Sequence, residues 1–224
     1  MSLEGEPVKK SHSKGLSSAE ILSDAELRAI ARRGSARSYA RNTVVVAEGD
    51  LTDTLYIIVS GRVRVYVSDA QGREVTLSEQ GAGEYFGEMV LDEGPRSASV
   101  ITLEPSRFLV VPKNDVLEFL GDNPAFAVHL IGKLIRRSRV LTENVKSLAL
   151  LDVYGRVARL LLELAEDRDG LLLIEPRPTQ QDMASRVGAS REMVSKILTD
   201  LASGGYVRVE GRRMVIARTL PSRW

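Results

Sequence analysis

The spacing of apolar residues changes along this chain, and each change marks a different kind of structure. Between Thr43 and Val111 they fall in short runs: VVVAEGD, TLYIIVSG, VRVYVSD, EVTLSEQ, ASVITLE and RFLVVP. These runs are rich in β-branched and aromatic residues, and Gly49, Gly61, Gly72, Gly81 and Gly83 separate them. Many short strands at near-regular spacing predict a sandwich or jelly roll. A turn or two of helix fits only near Glu88 to Asp92. From Pro124 to Leu148 the period becomes helical. Ala127, Ile131, Leu134, Ser138, Leu141, Val145 and Leu148 stand at alternating steps of four and three, the heptad seam of a coiled coil. Such a seam buries itself against a second copy, so the pattern predicts a parallel homodimer. A core helix packed on its own domain is the alternative, because its stripe has the same width. Lys133, Arg136, Arg137, Arg139, Glu143 and Lys146 flank the seam, as expected where helix flanks meet water.

Past the seam, Asp152 is placed to cap a helix from Val153 to about Glu166, with Val157, Leu160, Leu161 and Leu164 on its inner face. DRDG ends it, LLLIE reads as a short strand, and Pro176 and Pro178 stiffen the next connection. In TQQDMASRVGASREMVSKILTDLASGG, Thr179 and Asp182 form a capping box and Gly188 makes a turn. Ser190 caps a second helix to about Ser203, and Gly204-Gly205 stop it. With Ala184 at the close approach and Val194, Ile197, Leu198 and Leu201 as buried stripe, this is a helix-turn-helix pattern. YVRVEGRRMVIA then reads as the hairpin wing of a winged-helix domain. At the other end, Met1 to about Ser17 is a polar, flexible tail, and Ser23 with Glu26 caps a short helix over Asp24 to Arg33. The predicted organisation is α+β: a tail over 1–17, a β-roll domain over 18–123, a dimerisation helix over 124–150 and a winged helix-turn-helix domain over 151–224.

Composition narrows the chemistry. At 224 residues, 43% hydrophobic and 27% charged, the chain is long enough for two domains with real cores. It has neither a transmembrane-length apolar run nor the apolar core of a signal peptide, so a cytoplasmic protein with no membrane partner is expected. Absence of cysteine removes disulfides, thiolate nucleophiles and Cys-ligated zinc or iron-sulfur clusters. His12 and His129 are far apart, and no metal or haem is expected. The net charge of +1 averages over a basic C-terminal end. There Arg177, Arg186, Arg191, Lys196, Arg208, Arg212, Arg213, Arg218 and Arg223 outnumber Asp182, Glu192, Asp200 and Glu210, which points to an anionic partner.

The densest chemistry of the β segment is GEYFGEMVLDEGPRSASV, Gly83 to Val100. It offers glycines for close backbone approach, including Gly87, a carboxylate at Glu88, a short helix start, and then Arg96 with the Ser97 hydroxyl. A sugar phosphate would satisfy all of these. Asp50 and Asp53, beside Gly49, read as turn residues rather than as an acid/base pair. With the upstream EGDLTDTLYIIVSGRVRV, the stretch resembles the phosphate-binding cassette of cyclic-nucleotide-binding domains. The resemblance implies that Glu88 accepts the ribose 2′-hydroxyl while Arg96 and Ser97 hold the cyclic phosphate. The alternative is an empty loop closed by a Glu88 to Arg96 ion pair. Two departures alter the expectation. The Glu88 to Arg96 spacing is about one residue shorter than the commonest cassette. Leu141 and Thr142 stand where the family's cyclic-AMP receptors recognise adenine with a Thr-Ser pair, and Leu141 cannot hydrogen-bond a base edge.

Cassette, long helix and helix-turn-helix together resemble the cyclic-AMP receptor and FNR (CRP/FNR) family of bacterial transcription regulators. That resemblance implies base reading by Arg191, Glu192 and Lys196 at the start of the second helix. The chemistry agrees, since arginine clamps guanine, glutamate accepts from cytosine N4 and lysine reaches guanine acceptors. Thr179, Gln180 and Ser190 at the helix starts and Arg212 and Arg213 at the wing tip complete the DNA-facing set. A surface ion pair between Glu192 and Lys196 is the bland alternative. The expected partners are a palindromic double-stranded DNA site, a second copy of the chain and RNA polymerase. The expected effector is a cyclic nucleotide, cAMP first. A constitutive regulator with a vestigial pocket is the first alternative and a cyclic-nucleotide-processing enzyme the second. No catalytic residue is assigned, because no metal cluster, histidine base or activated nucleophile accompanies Glu88.

Overall fold

The computed structural model describes residues 29–92, 94–168 and 170–221. The polar tail and the first half of the helix expected over Asp24 to Arg33, residues 24–28, lie outside the described residues. The chain divides between Ser147 and Leu148 into a β-rich unit and a C-terminal unit.

The β-rich unit is built from two four-stranded antiparallel sheets. One has the order β1 (Ser35–Tyr39), β8 (Ser106–Pro112), β3 (Thr54–Ser60), β6 (Tyr85–Phe86). The other has the order β2 (Val44–Val46), β7 (Ser99–Thr102), β4 (Val63–Ser68), β5 (Glu74–Gln80). Alternation along each strand sends every second side chain between the sheets. Tyr56, Ile58, Phe86, Phe108 and Val110 from the first sheet meet Val46, Val63, Val65 and Val100 from the second. Tyr56 stacks on Phe86 with ring centroids 4.9 Å apart, and Phe108 stands edge-on to Phe86 at 5.4 Å. The alternate residues of the first sheet, Leu55, Ile57, Tyr85, Leu109 and Val111, pack on its other face. There they meet Val116 and Phe119 of α1 (Lys113–Asp122) and Phe126 and Leu130 of α2 (Pro124–Leu150).

Four elements were not expected from the sequence: the two-residue strand β6, a strand over Glu166–Arg168 in the C-terminal unit, β1 and α1. β1, SARSY, carries no apolar alternation and is an exposed edge strand, recognisable only by its pairing with β8. α1 follows directly on the last strand, with Pro112 in extended conformation as its cap residue. The run VVVAEGD yields a strand only over Val44–Val46.

The long helix α2 carries two stripes. Phe126, Leu130 and Lys133 are its buried residues. Ile131, Leu134, Leu141, Val145 and Leu148 of the heptad seam are each at least 40% exposed. Lys133 therefore corrects its placement on a flank that meets water. Its ammonium donates to the Tyr85 carbonyl and lies 3.6 Å from the centroid of the Tyr85 ring. The cation sits at the sheet surface because a carbonyl and a ring face replace its hydration.

In the C-terminal unit, the Asp152 side chain caps α3 (Val153–Leu164), accepting from the Gly155 N–H at 2.7 Å. The helix stops two residues short of the expected Glu166, because the chain turns there into β9 (Glu166–Arg168), which pairs with β10 (Leu171–Ile174). A four-stranded sheet of order β11 (Val207–Glu210), β12 (Arg213–Ile216), β10, β9 backs the helices. α4 (Gln180–Val187) and α5 (Arg191–Ser203) pack through Ala184, which is fully buried, and through Val194, Ile197 and Leu201. Gly188 closes the turn between them with φ of 62°.

Candidate functional site

The cassette of the β-rich unit is assembled around Arg96. Its Nε donates to Thr52 Oγ1 at 2.6 Å, one terminal nitrogen to the Gly87 carbonyl at 2.8 Å, and the other to the Thr54 carbonyl at 2.5 Å. The residue is 5% exposed. Burial pulls its pKa below the ordinary arginine value, opposed by Tyr56, Glu88, Asp53 and Asp50, and the group remains a cation. Gly87 makes this approach possible. Its φ is 84°, and a Cβ there would lie 2.9 Å from the Arg96 nitrogen and 3.0 Å from the Thr54 carbonyl oxygen.

Glu88 opens a 3-10 helix, Glu88–Leu91, and is buried. The Glu88 to Arg96 ion pair expected of an empty loop gives way to another partner: Arg137 of α2 donates to Glu88 Oε1. Arg96 is held by carbonyls and a hydroxyl instead. Glu88 Oε2 is buried without a hydrogen-bond partner. Ser97 is exposed beside Arg96. Gly87, Glu88 and Arg96 are thus brought into one cluster, and Arg137, Thr52 and Thr54 join it unanticipated. The signal for Arg137 was present: Phe126, Leu130, Lys133 and Arg137 repeat at four-three-four, one position away from the heptad seam. Leu141 and Thr142 are exposed farther along α2, and the Thr142 hydroxyl donates to the Ser138 carbonyl at 3.0 Å.

The second candidate surface lies on α4, α5 and the wing. Thr179 forms the full capping box with Asp182: its Oγ1 accepts from the Asp182 N–H at 3.1 Å and donates to the Asp182 carboxylate at 2.6 Å. Ser190 Oγ accepts from the Met193 N–H at 3.2 Å, which leaves its hydroxyl proton available. Arg191, Glu192 and Lys196 are exposed along the outer face of α5. No ion pair joins Glu192 to Lys196 among the described residues. Together with Gln180, Ser195, Thr199 and Asp200 they line a recess of about 520 Å³. Ser195 and Thr199 were absent from the sequence reading, although the steps of four from Arg191 to Ser195 and Thr199 place all three along one side. At the wing, Arg212 is exposed in the turn after Gly211, and Arg213 pairs with Glu210 at 2.7 Å.

Comparison with known proteins decides the family. Residues 36–123 match the model of the cyclic nucleotide-binding domain, and residues 155–219 match that of the Crp-like helix-turn-helix domain. The chain is 37% identical over 184 residues to the CRP-like cAMP-activated global transcriptional regulator of Mycobacterium tuberculosis, covering 80% of this chain and 82% of that protein. It belongs to the CRP/FNR family. The Thermus thermophilus cyclic AMP receptor protein is 36% identical over 77% of this chain and 79% of its own length. Among solved structures, the c-di-GMP responsive global regulator CLP of Xanthomonas campestris superposes with a TM-score of 0.77 at 26% identity, covering 88% of this chain and all of that one. As a CRP/FNR protein the chain is a DNA-binding transcription regulator carrying a cyclic nucleotide-binding domain. Among the described residues no helix is long and apolar enough to cross a membrane.

Proposed function

We propose that this CRP/FNR protein acts in the cytoplasm as a homodimer that reads a palindromic DNA site and is controlled by a cyclic nucleotide, cAMP first among candidates. The observation that carries ligand control is Glu88. Its Oε1 is taken by Arg137 and its Oε2 is buried without a partner. A buried polar atom left unpaired costs about 1–3 kcal/mol, and a ribose hydroxyl would satisfy it. Ser97 supplies an exposed hydroxyl for the phosphate, and Arg96 supplies fixed positive charge beside it. A bound nucleotide would thereby engage a carboxylate already tied to the dimerisation helix. Binding of nucleotide and of DNA are then coupled reciprocally.

On DNA, Arg191, Glu192 and Lys196 enter the major groove as base readers. Gln180, Ser190, Arg212 and Arg213 contact phosphates, while Thr179 orients α4 through its cap. The working partition is a sensor over 18–123, a dimerisation helix over 124–150 and a DNA-binding domain over 151–224. RNA polymerase is the proposed downstream partner, and the protein acts as a regulator rather than an enzyme.

A second reading, constitutive DNA binding, is favoured by one feature: the Arg96 guanidinium is already engaged by Thr52, Thr54 and Gly87. Binding to a degenerate pool of palindromic duplexes at fixed salt, with and without cyclic mono- and dinucleotides, separates the two. Ligand control raises specific binding by about tenfold or more with one nucleotide. Tight specific binding that no nucleotide changes establishes the constitutive reading.

A further inference from the structure

We infer that Gln80, with Ser78 beside it, reads the base of the bound nucleotide from inside the β-rich unit, by accepting a hydrogen bond from an exocyclic amino group. This rests on the nucleotide reading above and adds where base selectivity resides.

The register of β5 places both side chains. Gln80 lies opposite Val63 and Ser78 opposite Val65 on β4, and those two valines belong to the core between the sheets. Directly opposed residues of an antiparallel pair share a face, so Gln80 and Ser78 look into that core. Gln80 is 6% exposed. Its Oε1 and the Ser78 Oγ are both buried without a hydrogen-bond partner, the same condition as Glu88 Oε2. Folded chains leave few polar atoms in this state, and two of them on one face of one strand mark a place built for a polar guest.

The three atoms have a chemical order. A carboxylate oxygen and an amide oxygen only accept, whereas a serine hydroxyl both donates and accepts. A ribose hydroxyl suits Glu88, a base amino group suits Gln80, and a ring nitrogen beside that amino group suits Ser78. The connection between the two acceptors is fixed. Glu84 Oε2 accepts from the Gly81 N–H at 2.7 Å, the Glu84 carbonyl accepts from the Ile58 N–H at 2.8 Å, and β6 pairs with β3 before Gly87 and Glu88. On the long helix Leu141 has no polar atom to offer a base edge, and the Thr142 hydroxyl, which donates to the Ser138 carbonyl at 3.0 Å, can only accept.

The test is calorimetric titration of the full chain and of Gln80→Leu, Gln80→Met and Ser78→Ala with two matched pairs of ligands. One pair is cAMP and its analogue lacking the 6-amino group; the other is cGMP and cyclic IMP, which lacks the 2-amino group. The parent is expected to prefer the amino-bearing member of one pair by about tenfold, the worth of one hydrogen bond. Gln80→Leu should bring that ratio to near one, and Ser78→Ala should reduce it. Both Gln80 variants remove an orphaned acceptor from an apolar core, so melting temperatures at or above the parent's are expected. If Gln80→Leu does not fold, Gln80→Met and Ser78→Ala decide the question. A preference absent in the parent, or unchanged in the variants, overturns the inference and assigns the orphaned oxygens to a buried water. Failure of the parent to bind any cyclic nucleotide overturns the ligand reading itself. Binding with an unaltered ratio overturns only the role of Gln80.

Discussion

Arg137 on the long helix donates to the carboxylate of Glu88, 49 residues earlier in the chain, at the first residue of the cassette's 3-10 helix. The Glu88 side chain is 3% exposed and that of Arg137 28%. Removing one partner of such a pair leaves a buried charge uncompensated, whereas removing both leaves none. Arg137→Met should therefore lower stability to urea by roughly 3 kcal/mol, and adding Glu88→Gln should recover at least about half of that loss. A double variant no more stable than Arg137→Met would show that the two side chains are not coupled.

Gly87 and Gly72 share a left-handed conformation but differ in surroundings. Their φ values are 84° and 75°, yet a Cβ at Gly72 meets nothing within 4 Å, while one at Gly87 collides with Arg96 and Thr54. Gly72→Ala should cost about 1 kcal/mol for the backbone alone. Gly87→Ala should cost about 1–3 kcal/mol more, because either the Arg96 guanidinium or the strand carrying Thr54 must move. Melting of the two variants side by side checks this, and equal losses would remove the close approach as the reason for glycine at position 87.

Much of the fold was legible in the sequence because its elements carry periodic signals. The inward residues of β3 and β8 alternate without interruption, and the helix-turn-helix is bounded by side-chain caps at Thr179 and Ser190. β1 was not legible, since an exposed edge strand of Ser, Ala, Arg, Ser and Tyr needs no apolar face. α1 was missed for another reason: Val116, Phe119 and Leu120 fit a helix, but the ten-residue element follows β8 without a turn signal. At the cassette the sequence shows which groups are near one another and hides their partners. Charge pattern puts Lys133 and Arg137 in water, yet a carbonyl 48 residues away and a carboxylate 49 residues away hold them. Arg96 bonded to backbone carbonyls leaves no trace in residue types at all.

The exposed stripe of α2 predicts self-association. Ile131 is 56% exposed and Val145 65% in the single chain, and a second copy would cover them along one seam. Val145→Asp places an unpaired charge in that seam and should weaken association by about a hundredfold or more, the equivalent of roughly 3 kcal/mol. Val140 is 47% exposed but lies about 140° around the helix from Val145, so Val140→Asp should leave association unchanged. Sedimentation velocity over a concentration series reads both. An equal effect from the two substitutions would place the contact elsewhere.

Tyr154 predicts a limit at alkaline pH. It is 7% exposed in the core of the C-terminal unit, and burial, then Tyr206, Asp152 and Asp200, raise its pKa above the ordinary 10.0. The fold thus favours the neutral phenol. That contribution is fully present below pH 10.0 and is lost as pH rises from there through the folded value. Urea stability should decline above pH 10.0, and Tyr154→Phe, which has no proton to lose, should decline less steeply. Parallel slopes for the two proteins would assign the alkaline loss to other groups.

Base reading and phosphate contact on DNA are separable by their salt dependence. Arg191 projects from the first turn of α5 and Arg212 from the wing turn, and both are exposed cations. If Arg191 clamps a guanine as proposed, Arg191→Ala should cost about 1–3 kcal/mol on the preferred site, and much less on sites altered at that guanine. Arg212→Ala should weaken every sequence alike and reduce the slope of log affinity against log salt by about 1. Arg213 is already paired with Glu210, so its removal releases fewer counterions and should change the slope less than Arg212→Ala does. Lys196→Arg replaces a point charge by a planar fork and should sharpen guanine preference at its position. Affinities measured over a salt series on a preferred and a scrambled duplex distinguish these effects. If Arg191→Ala lowered both duplexes equally, Arg191 would be a phosphate contact and sequence would be read elsewhere on α5.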